Sequence, residues 1–122
     1  MGDPSGTVRL TFRPFPVHVR TARLVAVTVA RRSGWPEDLI ESVRQAVGEA
    51  CALALRATDA ERVVTQELDD AGPGLTALVW PVPDLASSLD AELPRAVLAG
   101  LTDTVGVEQR EGHSALRMSW VG

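Results

Sequence analysis

The sequence predicts an α+β fold in which a mixed, mostly antiparallel sheet carries its helices on one face. Five short segments alternate apolar and polar residues, which is typical of half-buried strands. Three longer segments repeat apolar residues at intervals of three and four, which is typical of amphipathic helices. Their order is strand, helix, helix, strand, strand, helix, strand, strand. Because most strands are then linked by hairpins, we expect a two-layer sandwich.

The first half of the chain supplies one strand and two helices. The alternating segment 8–12 predicts the strand. A helix is expected over 17–32, with Gly34 as its C-terminal stop. A second helix is expected over 37–56, because Pro36 suits the start of a helix and the acids that follow complement the helix dipole.

The second helix is expected to bury one face. Its apolar stripe consists of Leu39, Val43, Val47, Ala50 and Ala54. Glu49 and Leu53 lie four residues apart on a neighbouring stripe. We therefore expect these two residues at the helix edge, facing a cleft.

The second half of the chain is dominated by hairpins. Strands are predicted over 62–68 and 75–80, and again over 105–109 and 115–121. The turn over 69–74 contains two glycines, from which we expect positive φ angles. Pro94 is expected to start a third helix that runs to Leu101.

The composition limits the possible functions. A chain of 122 residues suits a single domain over 1–122, and its 45% hydrophobic content suits a globular core. A net charge of −4 argues against a nucleic-acid partner, which needs a clustered basic surface. All twelve basic residues are arginine, and the chain contains neither lysine nor asparagine. We interpret the lack of lysine as the codon bias of a GC-rich genome.

The few cysteines and histidines point to no metal site. Cys51 is the one cysteine, so it forms no internal disulfide, and we expect a small hydrophobic role and a cytoplasmic location. No segment reaches the ~20 apolar residues of a membrane span, and no membrane is expected. His18 and His113 are isolated, so we expect no metal.

One run carries a family resemblance. Residues 43–54 read Val-Arg-Gln-Ala-Val-Gly-Glu-Ala-Cys-Ala-Leu-Ala. This run resembles the central helix of the anti-sigma-factor, serine-kinase branch of the GHKL ATPase superfamily, and most closely its short actinobacterial regulatory members. The segments 12–14, 19–24, 101–107 and 117–120 extend the resemblance over nearly the whole chain. It implies a GHKL (Bergerat-like) fold.

The resemblance also implies a helix motif, Glu-Ala-x-x-Asn-Ala, whose glutamate serves water chemistry and whose asparagine binds the magnesium of ATP. Glu49 occupies the glutamate position, but Leu53 occupies the asparagine position. Without a metal-held phosphate Glu49 has nothing to act on, so we interpret it as vestigial.

Three further ATP elements are degenerate in the same comparison. The adenine motif Asp-x-Gly-x-Gly falls on Pro81 and Pro83. The lid over the phosphates falls on 84–93, a segment that is short, acidic and free of glycine, so we expect a truncated ATP lid. The glycine-rich helix start falls on Pro94, which has no N–H to donate to phosphate. We therefore expect no ATP, no cofactor and no kinase activity, that is, a pseudokinase.

The resemblance implies a regulatory function by partner switching, in which one protein binds either of two partners. Members of this branch bind a sigma factor or an anti-sigma antagonist of the STAS fold. On the first helix, Arg23 matches a partner-contacting arginine of the family, and Arg20 lies three residues earlier. We predict both as partner-binding residues, with a solvated arginine face, including Arg31, as the alternative. Homodimerisation through the first strand is possible.

Two other functions stay open at this point. One is an active serine kinase whose motifs have drifted. The other is a small scaffold that dimerises, or that holds an apolar ligand in a cleft vacated by ATP and lined by Leu53, Pro81 and Pro83. Trp35, Trp80 and Trp120 are expected mostly in the core, with Trp80 the best candidate for exposure.

Overall fold

The computed structural model describes residues 6–59, 61–84 and 92–121, with side chains from residue 94 onward in the last range. The elements are β1 (Thr7–Phe12), α1 (Pro16–Arg32), α2 (Glu37–Ala57), β2 (Val64–Asp69), β3 (Gly74–Trp80), α3 (Glu92–Leu101), β4 (Thr104–Arg110) and β5 (His113–Val121). All predicted elements are present, and their bounds differ from the predicted ones by at most two residues.

The strands form one sheet in the order β1-β2-β3-β5-β4. Leu10 of β1 pairs with Gln66 of β2, and Val79 of β3 pairs with Leu116 of β5. Every pairing among the described strands is antiparallel. The predicted α+β class is confirmed, although the described sheet has no parallel pair and is therefore not mixed.

The helices pack on one face of this sheet, with α2 in contact with both α1 and α3. Four of the five residues of the predicted stripe of α2, Val43, Val47, Ala50 and Ala54, are fully buried, whereas Leu39 is half-buried and Ile40 is the core residue in its place. Between α1 and α2, Gly34 has a φ of +78°, which agrees with its predicted role as a helix stop. The three helices thus form the second layer of the sandwich.

Two local expectations were wrong. Gly72 and Gly74 of the β2–β3 hairpin do not have positive φ angles. Gly74 is needed for a different reason, because a side chain there would collide with the carbonyl oxygen of Trp120 on the neighbouring strand. The third helix begins at Glu92 rather than at Pro94, which lies in the first turn where its missing N–H has no intrahelical partner to lose.

The end of α1 is tied to the sheet by a nearly buried carboxylate. Asp70 follows β2, and its side chain is 2% exposed. It accepts hydrogen bonds from Nε and Nη2 of Arg32, from Oγ of Ser33 and from the backbone N–H of Gly6, at 2.6 to 2.9 Å. The Arg32 guanidinium above all, helped by these other donors, holds the pKa of Asp70 well below its ordinary value. This network joins α1, β1 and the β2–β3 turn.

The sheet face opposite the helices carries a second, smaller apolar cluster of Leu78, Trp80 and Ala115. The guanidinium groups of Arg9 and Arg110 stack over the Trp80 ring, at 5.4 and 4.8 Å from its centroid. Trp80 is therefore only 2% exposed, and the expectation that it is the most exposed tryptophan was wrong.

The main core contains most of the remaining apolar side chains, Trp120 among them. The indole N–H of Trp120 donates to the carbonyl of Leu101 at 2.7 Å, so its polar group is satisfied inside the core. In the part of the chain that the structure describes, no helix is both long and apolar enough to cross a membrane.

Candidate functional site

A cavity of about 760 Å³ opens on the outer side of the helical layer, and we call it the three-helix groove. Its walls come from all three helices. Apolar side chains are supplied by Val19 of α1, Ala52 of α2, and Val97 and Leu101 of α3. Its polar lining includes Arg23 of α1 together with a polar stripe of α2. The groove is thus an open depression of mixed apolar and charged lining.

Two residues predicted from the sequence meet in this groove. Arg23 reaches it from α1 and is half-buried, while Glu49 reaches it from α2 and is exposed. The structure gives no hydrogen bond or ion pair between these two side chains, nor between Arg23 and any other carboxylate of the described residues. Arg23 therefore places an unpaired positive charge against an apolar wall, which is energetically unusual for a half-buried group.

The side chain of Arg23 packs against a glycine of the facing helix. A Cβ atom placed on Gly48 of α2 would lie 3.1 Å from Cδ and 3.4 Å from Nη1 of Arg23. The arginine side chain thus lies across the bare surface of α2. Glycine inside a helix costs about 1 kcal/mol relative to alanine, so this contact has a stability cost.

The other predicted partner-binding arginine lies outside the groove. Arg20 is exposed on α1 and is not part of the groove lining. Arg31, weighed with it on the same helix, forms an exposed ion pair with Glu37 at 3.2 Å. Arg44 also lines the groove, but its guanidinium is paired with Glu41 one turn earlier on α2. Among the groove residues described, Arg23 is the arginine with no carboxylate partner.

The residues that the resemblance places at ATP-motif positions lie in different surroundings from Arg23 and Glu49. Leu53 is 4% exposed and belongs to the main core, so its predicted place at a helix edge facing a cleft was wrong. The reason is that α2 is the central helix, in contact with α1, with α3 and with the sheet, so that the side of α2 bearing Leu53 is also buried. Position 53 therefore offers neither a metal ligand nor an exposed surface.

The prolines that the resemblance places at the other ATP-motif positions lie elsewhere in the fold. Pro81 follows a cis peptide bond, is buried, and lines a separate cavity of about 430 Å³ with Thr65 and His113. Pro83 and Pro94 are half-buried. No carboxylate stands at position 81 to accept the adenine amino hydrogens, and no backbone N–H is available at position 94. The predicted short lid falls largely on 85–91, which lies outside the described residues.

The remaining residue considered for chemistry is Cys51, which lies in the main core. Cys51 is fully buried, and burial raises the pKa of its thiol to about 12, so a reactive thiolate is not available. Its Sγ lies 3.8 Å from Oε1 of Gln66, a buried glutamine that donates to the carbonyl of Ala22. No group of three potential metal ligands is present among the described residues.

Sequence reasoning missed Gly48 and Asp70. Gly48 stands inside the family run as a helical glycine, and a glycine at such a position is itself a signal of close approach by another group. Asp70 gave no signal, because it is one of two adjacent aspartates in a turn and its partners are distant along the chain.

Comparison with known proteins identifies the family. Residues 12–120 match the model of the histidine kinase-like ATPase domain. The chain belongs to this family. The chain is also similar in fold to the crystal structure of the RsbU and RsbW domains of Rv1364c from Mycobacterium tuberculosis. That structure has a TM-score of 0.70 and 16% identity, and the match covers 97% of this chain.

This chain spans about a third of that solved chain, since the match covers 33% of it. No curated protein matches the chain. The family match and the structural match together confirm the GHKL resemblance and the fold predicted from the sequence.

Proposed function

We propose that this histidine kinase-like ATPase domain is a non-catalytic, anti-sigma-type regulatory protein that binds a STAS-domain antagonist, a sigma factor, or both in competition. The single observation that carries the proposal is Arg23, held in the three-helix groove without a carboxylate partner among the described residues. Arginine presents a planar fork that suits bidentate pairing with a carboxylate, and arginine is enriched at binding hot spots.

The loss of ATP binding is a second part of the proposal. It is supported by the chemistry at the motif positions, where Leu53 and Pro81 stand in place of the metal-binding asparagine and the adenine-binding aspartate. A leucine that is 4% exposed cannot coordinate magnesium, and a proline side chain cannot accept a hydrogen bond. Regulation would then follow partner concentration and not nucleotide state.

The partner claim is tested by affinity purification of the tagged protein from its native cells, followed by mass spectrometry and by calorimetry with each purified candidate. A STAS-domain protein or a sigma factor that binds at micromolar concentration or below supports the proposal. Recovery of neither protein across growth phases contradicts it.

The ATP claim has its own experiment. Calorimetry with magnesium-ATP is expected to give no measurable binding, and incubation with a STAS-domain protein and ATP is expected to give no phosphoserine. Sub-millimolar ATP affinity would contradict this part and would favour the active serine kinase. The partner claim would be unaffected by that result.

A further inference from the structure

We propose that Gly48 is a positioning residue, whose lack of a side chain lets Arg23 lie across α2 with its guanidinium directed at a carboxylate of the protein partner. The proposal rests on the proposed function, because it names how the same groove recognises its partner. It assigns a role to a residue that touches neither the partner nor a ligand.

Nothing in the backbone requires a glycine at position 48. Gly48 lies inside a helix that spans Glu37–Ala57, and its φ is not positive. Alanine would stabilise such a position. The glycine therefore needs a reason from outside its own helix, and the side chain of Arg23, which a Cβ atom would approach to 3.1 Å, supplies one.

A second glycine of the helical layer gives the comparison. Gly100 lies in α3, and a Cβ atom placed there would meet nothing within 4 Å. Another side chain thus occupies the space of the missing methyl group at Gly48, whereas that space is open at Gly100, which is exposed near the end of α3.

The half-buried side chains of Arg32 and Arg110 each pair with a carboxylate, at 2.8 Å to Asp70 and at 3.3 Å to Glu67. Arg23 packs against α2 at Gly48, but it has no such partner in the described part of the chain. An arginine that is fixed before binding loses less conformational freedom when it forms its ion pair.

The groove also limits the partner's chemistry. Val19, Ala52 and Leu101 line the space around Arg23, and Glu49 adds a negative charge to the same groove. A partner segment with several acids would meet repulsion from Glu49. The surface suits an apolar segment that carries one acidic side chain, and we infer that this acid pairs with Arg23.

The experiment compares four variants: Gly48→Ala, Gly100→Ala, Arg23→Ala and the double variant Gly48→Ala/Arg23→Ala. The probes are the purified STAS-domain antagonist and the purified sigma factor of the same cells, with affinity measured by calorimetry. We expect Gly48→Ala to weaken binding about tenfold, which is less than the loss of a hot-spot side chain itself. Gly100→Ala is expected to leave the affinity within twofold of that of the unmodified chain.

Thermal stability separates positioning from a structural role. Gly48→Ala is expected to leave the melting temperature unchanged or to raise it, because alanine favours the helix while the flexible Arg23 side chain moves aside. A variant that is at least as stable but binds more weakly cannot be explained by damage to the fold. In the Arg23→Ala background the second substitution is expected to change the affinity by less than twofold, since the side chain through which Gly48 acts is gone.

Each outcome decides something. If the unmodified chain binds neither probe, the proposed function and this inference both fail. If it binds a probe and Gly48→Ala binds equally well, the inference fails while the proposed function stands. Should Gly48→Ala fold poorly, the double variant restores the space and still tests the coupling. Equal losses from Gly48→Ala in both backgrounds would contradict the role assigned to Arg23.

Discussion

Helix α1 carries two arginines that have opposite surroundings. Arg32, at its end, donates to both carboxylate oxygens of Asp70, and Ser33 and the backbone of Gly6 complete the site. Arg23, in the middle of the helix, lies over Gly48 and faces an open groove without a carboxylate partner among the described residues. The charge of Arg32 is thus paired within the fold, whereas the charge of Arg23 faces the groove without a carboxylate partner among the described residues.

Under the proposed function, the paired Arg32 serves the stability of the fold and the unpaired Arg23 serves recognition of the partner, although both lie on one helix. A charge whose hydrogen bonds are satisfied within the fold contributes to the fold, and its removal leaves its partner buried and unpaired. A charge that is positioned but unpaired has little to lose in stability and is available to another molecule. Substitutions at the Arg32–Asp70 site should therefore change the stability of the fold, and substitutions at Arg23 should change the affinity for the partner.

The largest expected effect is on stability, at Asp70. Asp70→Ala removes the acceptor for Arg32, Ser33 and Gly6, and we expect it to lower the free energy of unfolding by about 3 kcal/mol, measured by urea denaturation. The exposed neighbour Asp69 is the matched control, with an expected loss below about 1 kcal/mol for Asp69→Ala. Partner affinity of the folded Asp70→Ala protein should not change. A loss as small as that of the control would show that the network is not what holds α1 in place.

The next effect is on binding, at Arg23. Arg23→Glu reverses the charge in the groove, and we expect partner affinity to fall about a hundredfold while the melting temperature changes little. Arg31→Glu on the same helix is the charge-matched control, because Arg31 lies outside the groove and pairs with Glu37. Arg20→Glu should have an intermediate effect, since Arg20 is exposed beside the groove. If Arg23→Glu and Arg31→Glu weaken binding equally, recognition depends on general charge and not on this groove.

The sequence predicts a feature well when neighbouring residues in the chain determine it, and poorly when contacts between distant parts of the chain determine it. The helical period alone identified the buried face of α2, and Val43 and Val47 are buried as expected. The same period could not place Leu53, because its burial depends on how α2 packs against the rest of the fold and not on the helical pattern alone. Leu53 was placed at an edge, and it is in the core.

The two arginine sites illustrate the same limit. Arg23 was identified from its match to a family position, but its lack of a partner is a property of the assembled groove. Asp70 was not identified at all, since its hydrogen bonds join Gly6, Arg32 and a turn that local patterns do not relate. Trp80 was expected to be exposed, and only the register of the sheet brings Arg9 and Arg110 over it.

A third effect is the response to acid. Because the pKa of Asp70 is lowered from 3.8 in the folded state, its contribution to stability is complete above about pH 4 and is lost as the pH falls through the folded-state pKa. We expect the free energy of unfolding to decrease below pH 4, by less than Asp70→Ala costs at neutral pH, because the protonation of Asp70 is incomplete at the pH values used. Urea denaturation between pH 6 and about pH 2.5 measures this.

The control for the acid response is Glu41. Glu41 accepts hydrogen bonds from the side chains of Arg44 and Gln45. These bonds, the one from Arg44 most of all, lower the pKa of Glu41 from 4.5 to about 2. This pair is exposed and screened by solvent, so we expect Glu41→Gln to leave the acid response nearly unchanged. Asp70→Asn should flatten the response. If Glu41→Gln flattens it more, the acid response is determined on the surface of α2.

The smallest effect is expected on the open face of the sheet, at Glu67. Its carboxylate accepts hydrogen bonds from Arg9 at 3.0 Å and from Arg110 at 3.3 Å, and both guanidinium groups cover Trp80. Glu67→Gln keeps the shape of the side chain and removes its charge. We expect a loss of about 1 kcal/mol or less, because both arginines keep their stacking contacts with the ring and are partly exposed. Urea denaturation measures it, and a small red shift of tryptophan emission should accompany it.

This last variant tests whether pairing with a carboxylate is what distinguishes a structural arginine in this protein. Arg9 and Arg110 resemble Arg32 in having a carboxylate partner, and they resemble Arg23 in lying on a surface that another molecule could reach. If pairing decides the role, Glu67→Gln changes stability and leaves partner affinity within twofold of that of the unmodified chain. A tenfold change in affinity would mean that the open face of the sheet also contacts the partner, and that a paired arginine can serve recognition.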